Sequence, residues 1–339
     1  MEKITKGNTA SKTISARAQL NRRKWAKLAA TGGFIIILCL LPVFLSSSYT
    51  LHIFILTFIY TIATVSLRTI TISGQFPLAH GAFMGVGAYS AGLTSRWLGW
   101  SYWITIPSAA LFTTALGILI GYPFARLRTL YYAMGSLFFG LGVIQVIYAF
   151  GDWTGGYSGF YGITPMFTGS KVPYYYFFLG LAVVCTAALY RFEFSRIGTN
   201  LRAISQSHMV ASSVGINEGW YRVMVVGVGC FFAGIAGACY AHYNLVISAA
   251  SFNLGATLGL FMCVLVGGIF SFAGPIIGTF VLVLAPEFLR DLKIYSPLVS
   301  AAILLIVVYL MPRGLVSLPW LLSSGRSKAR EENGVAHAS

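Results

Sequence analysis

The chain reads as a succession of apolar runs separated by short polar breaks. The runs fall at about 28–45, 50–67, 75–95, 102–124, 130–150, 174–190, 221–243, 255–270, 274–289 and 296–311. An α-helix needs roughly 20 apolar residues to cross the hydrocarbon core of a bilayer. The pattern therefore predicts an all-α polytopic membrane protein with about ten transmembrane segments, or eight if two runs merge or fold back as a re-entrant pair. Several runs are glycine-rich, as at Gly81, Gly85 and Gly87, or at Gly227, Gly229, Gly234 and Gly237. Such spacing lets helix backbones approach closely in lipid. Two stretches are predicted to be broken or re-entrant. One is 74–87, which opens Gly-Gln-Phe-Pro, and the other is 267–278, where two glycines precede Gly274-Pro275. Irregular backbone at membrane depth survives only under a cover of protein or beside a wet cavity.

Composition supports the same class. Of 339 residues, 57% are hydrophobic and 9% are charged, against roughly 25% charged in a soluble domain. So few charges cannot cover a soluble surface, which excludes an ordinary cytosolic enzyme, a disordered chain and a disulfide-stapled secreted domain. The five cysteines all sit in apolar stretches without a CxxC pair and are expected to be small buried hydrophobes.

The net charge of +15 is distributed by position. Eight cations precede the first apolar run. With the N-terminus inside, eleven more fall inside: Arg68, Arg126, Arg128, Arg191, Arg196, Arg202, Arg222, Arg313, Arg326, Lys328 and Arg330. Four fall outside: Arg96, Lys171, Arg290 and Lys293. Cytoplasmic loops carry the excess of Lys and Arg, so both termini are expected in the cytoplasm, with an even number of spans. No basic stripe alternates with aromatics, which argues against a nucleic-acid partner. Membrane lipid is the expected surrounding. The chain divides into a basic tail (1–27), a transmembrane domain (28–318) with a cytoplasmic loop at 191–220, and a C-terminal tail (319–339).

The chemistry is sparse. There is no GxxxxGK[ST] phosphate loop, no HExxH, no GxSxG and no paired carboxylates. No enzyme activity, metal or cofactor is expected. Only Glu287 among the acidic residues falls inside an apolar run. Ion-coupled carriers need ionisable groups at membrane depth, so a secondary transporter is the weaker alternative. His52 and His242 lie at span ends and read as interfacial. His80 is either a packed polar side chain or part of a path. His208 lies in the cytoplasmic loop, exposed or in contact with a partner. In that loop Ser207 is a good N-cap and Gly215 a good C′ residue, bracketing a helix of about two turns. Its apolar Met209, Val210 and Val214 and small Ala211, Ser212 and Ser213 suit docking into a partner's groove.

Several ordered blocks resemble one family. Gly74-Gln75 with Leu78-Ala79-His80-Gly81-Ala82-Phe83 forms the first. Thr154-Gly155-Gly156 with Gly159 forms the second. Ser195-Arg196-Ile197-Gly198, Leu201-Arg202-Ala203-Ile204, Ala211 and Gly215-Ile216 follow. Ala233-Gly234-Ile235-Ala236-Gly237-Ala238, then Val266-Gly267-Gly268 with Gly274-Pro275, and Pro312-Arg313-Gly314-Leu315 complete the series. Together they resemble the Liv-type (LivM-like) permeases, membrane subunits of branched-chain amino-acid ABC importers. The departures are Ser205-Gln206-Ser207-His208, where the family usually carries charge, and Pro77-Leu78-Ala79-His80 in place of its SLGH.

The resemblance implies an inner-membrane permease subunit that supplies half a translocation path for branched-chain amino acids or a related small polar solute. Its implied partners are two ABC ATPases, a second homologous permease and a periplasmic substrate-binding protein. Leu201, Arg202, Ala203, Ser207, His208, Ala211, Ser212, Gly215 and Ile216 would couple to the ATPase. Gly74, Gln75, His80, Gly81, Gly267, Gly268 and Pro275 would shape the path. Thr154, Gly155, Gly156 and Gly159 would face the binding protein.

Overall fold

The computed structural model describes residues 32–42, 47–127, 129–167 and 169–288, with single positions 298 and 305. The span expected at 296–311, the Pro312–Leu315 motif, the side chain of Glu287 and both tails lie outside the described residues. The chain divides into two units, 1–51 and 52–339. In the first, α1 (Gly32–Pro42) is a short apolar helix. Its Cys39 is exposed, not buried as expected.

Helix α2 (Ser48–Thr71) leads into the second unit. There follow α3 (His80–Leu98), α4 (Tyr102–Phe124), α5 (Thr129–Ala149), the short α6 (Gly151–Thr154), α7 (Val172–Glu193), α8 (Arg196–Gln206), α9 (His208–Ser213), α10 (Glu218–Asn244), α11 (Leu254–Gly267) and α12 (Ala273–Phe288). Strands β1 (Phe160–Tyr161) and β2 (Val246–Ile247) pair antiparallel, Phe160 opposite Ile247. Among the described residues six helical stretches are long and apolar enough to cross a membrane, which makes the chain a multi-pass membrane protein. They are Ser48–Thr71, Tyr102–Phe124, Thr129–Ala149, Val172–Glu193, Glu218–Asn244 and Ala249–Gly267.

Glycine explains the core. Helix α10 packs against α3 and α4. A Cβ on Gly87 would lie 2.6 Å from the Cα of Gly234, and one on Gly234 would lie 2.9 Å from the Cα of Ala110. A Cβ on Gly237 would run into the carbonyl oxygen of Met84. Without side chains at these positions three backbones meet directly, the packing that lipid-embedded helices rely on. The buried threonines of α2 need no partner from another helix. Thr57, Thr61, Thr64 and Thr69 each donate to the carbonyl four residues earlier, at 2.7–2.9 Å.

Both predicted breaks are present, one of them shorter than expected. Residues 72–79 form the irregular turn, and α3 is already helical from His80, so 80–87 is not broken. Gly74 has φ +80 in that turn. The second break lies between α11 and α12, where Gly268 has φ +108.

The described cations segregate by end. Arg68, Arg126, Arg191, Arg196, Arg202 and Arg222 lie at the end that carries α8 and α9, with Arg222 bonding the carbonyls of Ala125 and Leu127. Arg96 and Lys171 lie at the other, with Arg96 bonding the carbonyl of Tyr161.

Candidate functional site

Three loops meet at the end that carries α8. The α8 helix itself is an element the loop reading missed. Its signal was present: Ser195 as N-cap, then Ile197, Leu201 and Ile204 at helical spacing. The Ser195 hydroxyl accepts from Ile197 N–H at 3.2 Å. Leu201 and Ile204 are buried, while Arg202 and Ala203 are half-buried. A Cβ on Gly74 would lie 3.5 Å from the Cα of Ser205, so the 72–79 turn rests on α8.

The short helix at 208–213 follows. Ser207 Oγ accepts from Val210 N–H at 3.4 Å. At its other end Gly215 has φ +83. Gly215 N–H donates to Ser212 O at 3.0 Å and Ile216 N–H to Ala211 O at 3.1 Å. These two bonds are the Schellman pair, which satisfies carbonyls that a helix end leaves open. Ala211 is only 2% exposed and faces its own protein, whereas Met209, Val210 and Val214 are 73%, 63% and 71% exposed. His208 and Ser212 are also exposed, and Ile216 is half-buried. The apolar part of the exposed surface of this helix is thus the Met-Val-Val edge, with Ala211 beneath it.

A buried ionic cluster joins these loops, and sequence reasoning passed over it. Glu193, in the last turn of α7, is 1% exposed. Glu193 lies just past the apolar run at 174–190, and its burial is a feature the sequence did not announce. Both Glu193 oxygens accept from the guanidinium of Arg68, at the end of α2. Arg202 of α8 adds a third bond at 2.6 Å. Arg68 Nε donates to Ile269 O at 2.9 Å, in the turn between α11 and α12. The available signal was a carboxylate and an arginine each at the edge of an apolar run.

The residues expected along a path are mostly packed inside the chain. His80 is fully buried, with Nε2 2.9 Å from Ser66 Oγ and 3.1 Å from Ala63 O, so it pins α3 to α2. Gly81 N–H donates to Thr257 Oγ1 at 2.9 Å. Gln75 is 1% exposed. A Cβ on Gly267 would collide with the backbone of Gly274, and Pro275 is buried in the first turn of α12. Gly268 is buried and Gly74 half-buried. A small crevice lies between α5 and α11, lined by Leu137, Gly140, Leu141, Asn253, Leu254 and Thr257 among others. Exposed Gln145 stands one turn beyond Leu141.

At the opposite end the Thr-Gly-Gly segment folds the loop on itself. Thr154 Oγ1 donates to Ile147 O at 2.6 Å. Gly155, Gly156 and Gly159 take φ values of +75, +51 and +84. Trp153, Tyr157 and Tyr161 point outward, 61%, 82% and 59% exposed. His242, expected at an interface, is instead fully buried, with Nε2 2.6 Å from Thr105 Oγ1. His52 pairs with the Tyr243 hydroxyl at 2.6 Å. Among the described residues no three His, Cys, Asp or Glu come together to hold a metal ion.

The glycine-packed bundle, with six helical stretches long and apolar enough to cross a membrane, is that of a multi-pass membrane protein. The family described as branched-chain amino acid transport system / permease component matches residues 49–312. The chain belongs to that family. It is 26% identical over 335 residues to the high-affinity branched-chain amino acid transport system permease protein LivM of Escherichia coli K12, covering 89% of this chain and 77% of that protein. The LivM protein of Salmonella typhimurium is 26% identical over 320 residues, covering 85% and 75%. The LivH permease protein of the same system in Escherichia coli K12 is 30% identical over 132 residues, covering 38% and 42%. No solved structure matches the chain at a significant level.

Proposed function

We propose that this chain is one permease subunit of an ABC importer for branched-chain amino acids in a bacterial inner membrane. The observation that carries this reading is the family match across residues 49–312. The chain supplies half the path. A second, homologous permease supplies the other half, two ATPases supply the energy, and a periplasmic binding protein delivers the solute. About ten spans place both termini in the cytoplasm, and the clustering of described arginines at the α8–α9 end supports that orientation.

The path lies on the face formed by α5 and α11. There Leu141 and Leu254 offer apolar contact beside the amide of Asn253, with Gln145 one turn beyond Leu141, a mixture suited to an aliphatic side chain on a zwitterion. His80, Gly81, Gly267, Gly268 and Pro275 shape that wall from behind, and Gly74 and Gln75 form the turn beneath it. The Met209–Val210–Val214 edge, held by Leu201, Ser207, Ala211 and Gly215, docks in an ATPase groove. The loop folded by Thr154, Gly155, Gly156 and Gly159 meets the binding protein. An ion-coupled carrier needs ionisable groups at membrane depth to bind its ion, and the carboxylate of Glu193 is already paired with Arg68 and Arg202.

The test is leucine uptake by proteoliposomes containing the assembled complex. Uptake should require internal or external ATP on the ATPase side and the binding protein on the other, and should survive a proton ionophore. Gradient-driven uptake without ATP would overturn the reading.

A further inference from the structure

We infer that Glu193 and Arg68 form a mechanical joint that carries motion of the α8–α9 segment to the turn between α11 and α12. The inference rests on the importer reading above and adds positioning residues to it.

Four observations carry it. First, the cluster bridges elements rather than tying two helices. It collects the end of α2, the end of α7, α8 and the α11–α12 turn around one carboxylate. Second, its attachment to α8 is double. Arg202 bonds Glu193 directly, and a Cβ on Gly198 would collide with the Glu193 backbone, so α8 cannot shift without displacing Glu193. Third, its attachment to the turn is a fixed fork. The guanidinium of Arg68 spends two nitrogens on Glu193 and Nε on Ile269 O, and lies 5.7 Å from the ring centre of Phe272. A planar guanidinium holds these partners in one geometry, which a lysine ammonium cannot do. Fourth, the turn is the place where a push has effect. Gly268, with φ +108, precedes Ile269, and Phe270 stands 87% exposed. The α11 helix that ends there also forms one side of the α5–α11 crevice. Coupling through a packed network needs an element with two arrangements that both ends bias, and we assign that role to this turn.

The experiment uses the complete complex in lipid, in a chain carrying Cys39→Ser. Spin labels are placed at the exposed positions Thr199 on α8 and Phe270 in the turn, each paired with a reference label at Leu119 on α4. On ATP binding, both the 199–119 and 270–119 distances should change, while 199–270 stays constant. Arg68→Lys keeps the charge opposite Glu193 but loses the fork. It should leave assembly and ATP hydrolysis intact, stop the movement at 270, and lower leucine uptake per ATP hydrolysed by about tenfold. Should Arg68→Lys fail to assemble, the distances in the otherwise wild-type chain still decide. Movement at 199 without movement at 270, no movement at either site despite normal uptake, or an Arg68→Lys complex with wild-type uptake per ATP would each overturn the joint. Absence of ATP-driven uptake in the unsubstituted complex would overturn the importer reading instead.

Discussion

Gly267 meets the backbone of Gly274 with no room for a side chain, and its neighbour Gly268 has φ +108. Substitution here attacks packing before it touches any path. Gly267→Leu should cost about 1–3 kcal/mol or more from overpacking, and Gly268→Leu about 1–3 kcal/mol from backbone strain. Both should appear as a lower unfolding temperature of the purified protein in detergent. A Gly268→Leu protein of unchanged stability that fails to transport would return this glycine to the path itself. Glu193 makes a different demand. Glu193→Leu strands the buried Arg68 guanidinium without its counter-charge, and breaking a buried pair from one side costs about 3–5 kcal/mol. That variant should be recovered in poor yield, and Glu193→Gln, which still accepts a hydrogen bond, should be recovered better.

The short helix α9 is the element in which local and tertiary effects separate most cleanly. Its ends are set by Ser207 and by the Gly215 turn, and a helix of this length is unstable alone. It is held because Ala211 is buried against the rest of the chain. Ala211→Trp is therefore expected to dislodge α9 from its seat, visible as protease cleavage between 205 and 217. The exposed edge behaves oppositely. Met209→Ser with Val214→Ser should change stability by less than about 0.5 kcal/mol, yet reduce co-purification of the ATPases severalfold. Normal co-purification would remove this edge as the docking surface. Gly215→Val combines both effects, since a β-branched residue tolerates positive φ poorly.

At the scale of the whole molecule, the two ends of the second unit differ in charge. Ser158 and Ser205 are both exposed, at opposite ends. In a Cys39→Ser background, a cysteine at Ser158 should react with an impermeant thiol reagent outside spheroplasts, and one at Ser205 should react only after lysis. Reversed labelling would invert the proposed orientation. The remaining four native cysteines are buried and should stay silent. At the end opposite α8, Trp97 of α3 and Trp153 of α6 have ring centres 5.7 Å apart. Amphipathic rings of this kind sit comfortably at headgroup level.

The amino-acid order alone settled the class, because the period and length of apolar runs are local properties that the bilayer selects directly. It also settled the caps of α9, because Ser207 and Gly215 act on backbone groups within a few residues. Glycine-rich runs announced close helix contacts, and Gly87, Gly234 and Gly237 make them. Which glycines meet, however, depends on how helices far apart in the chain cross, and no local pattern encodes that. The same holds for His242, read as interfacial but buried once neighbouring helices closed over it, and for His80, where the fold alone chose packing over a place on a path. Glu193 shows the physical reason most clearly. In sequence it is one acid among arginines at the edge of an apolar run. Only the fold brings it to Arg68, 125 positions away, and to the turn at Ile269. Burial removes water from Glu193 and Arg68, and they must then satisfy one another.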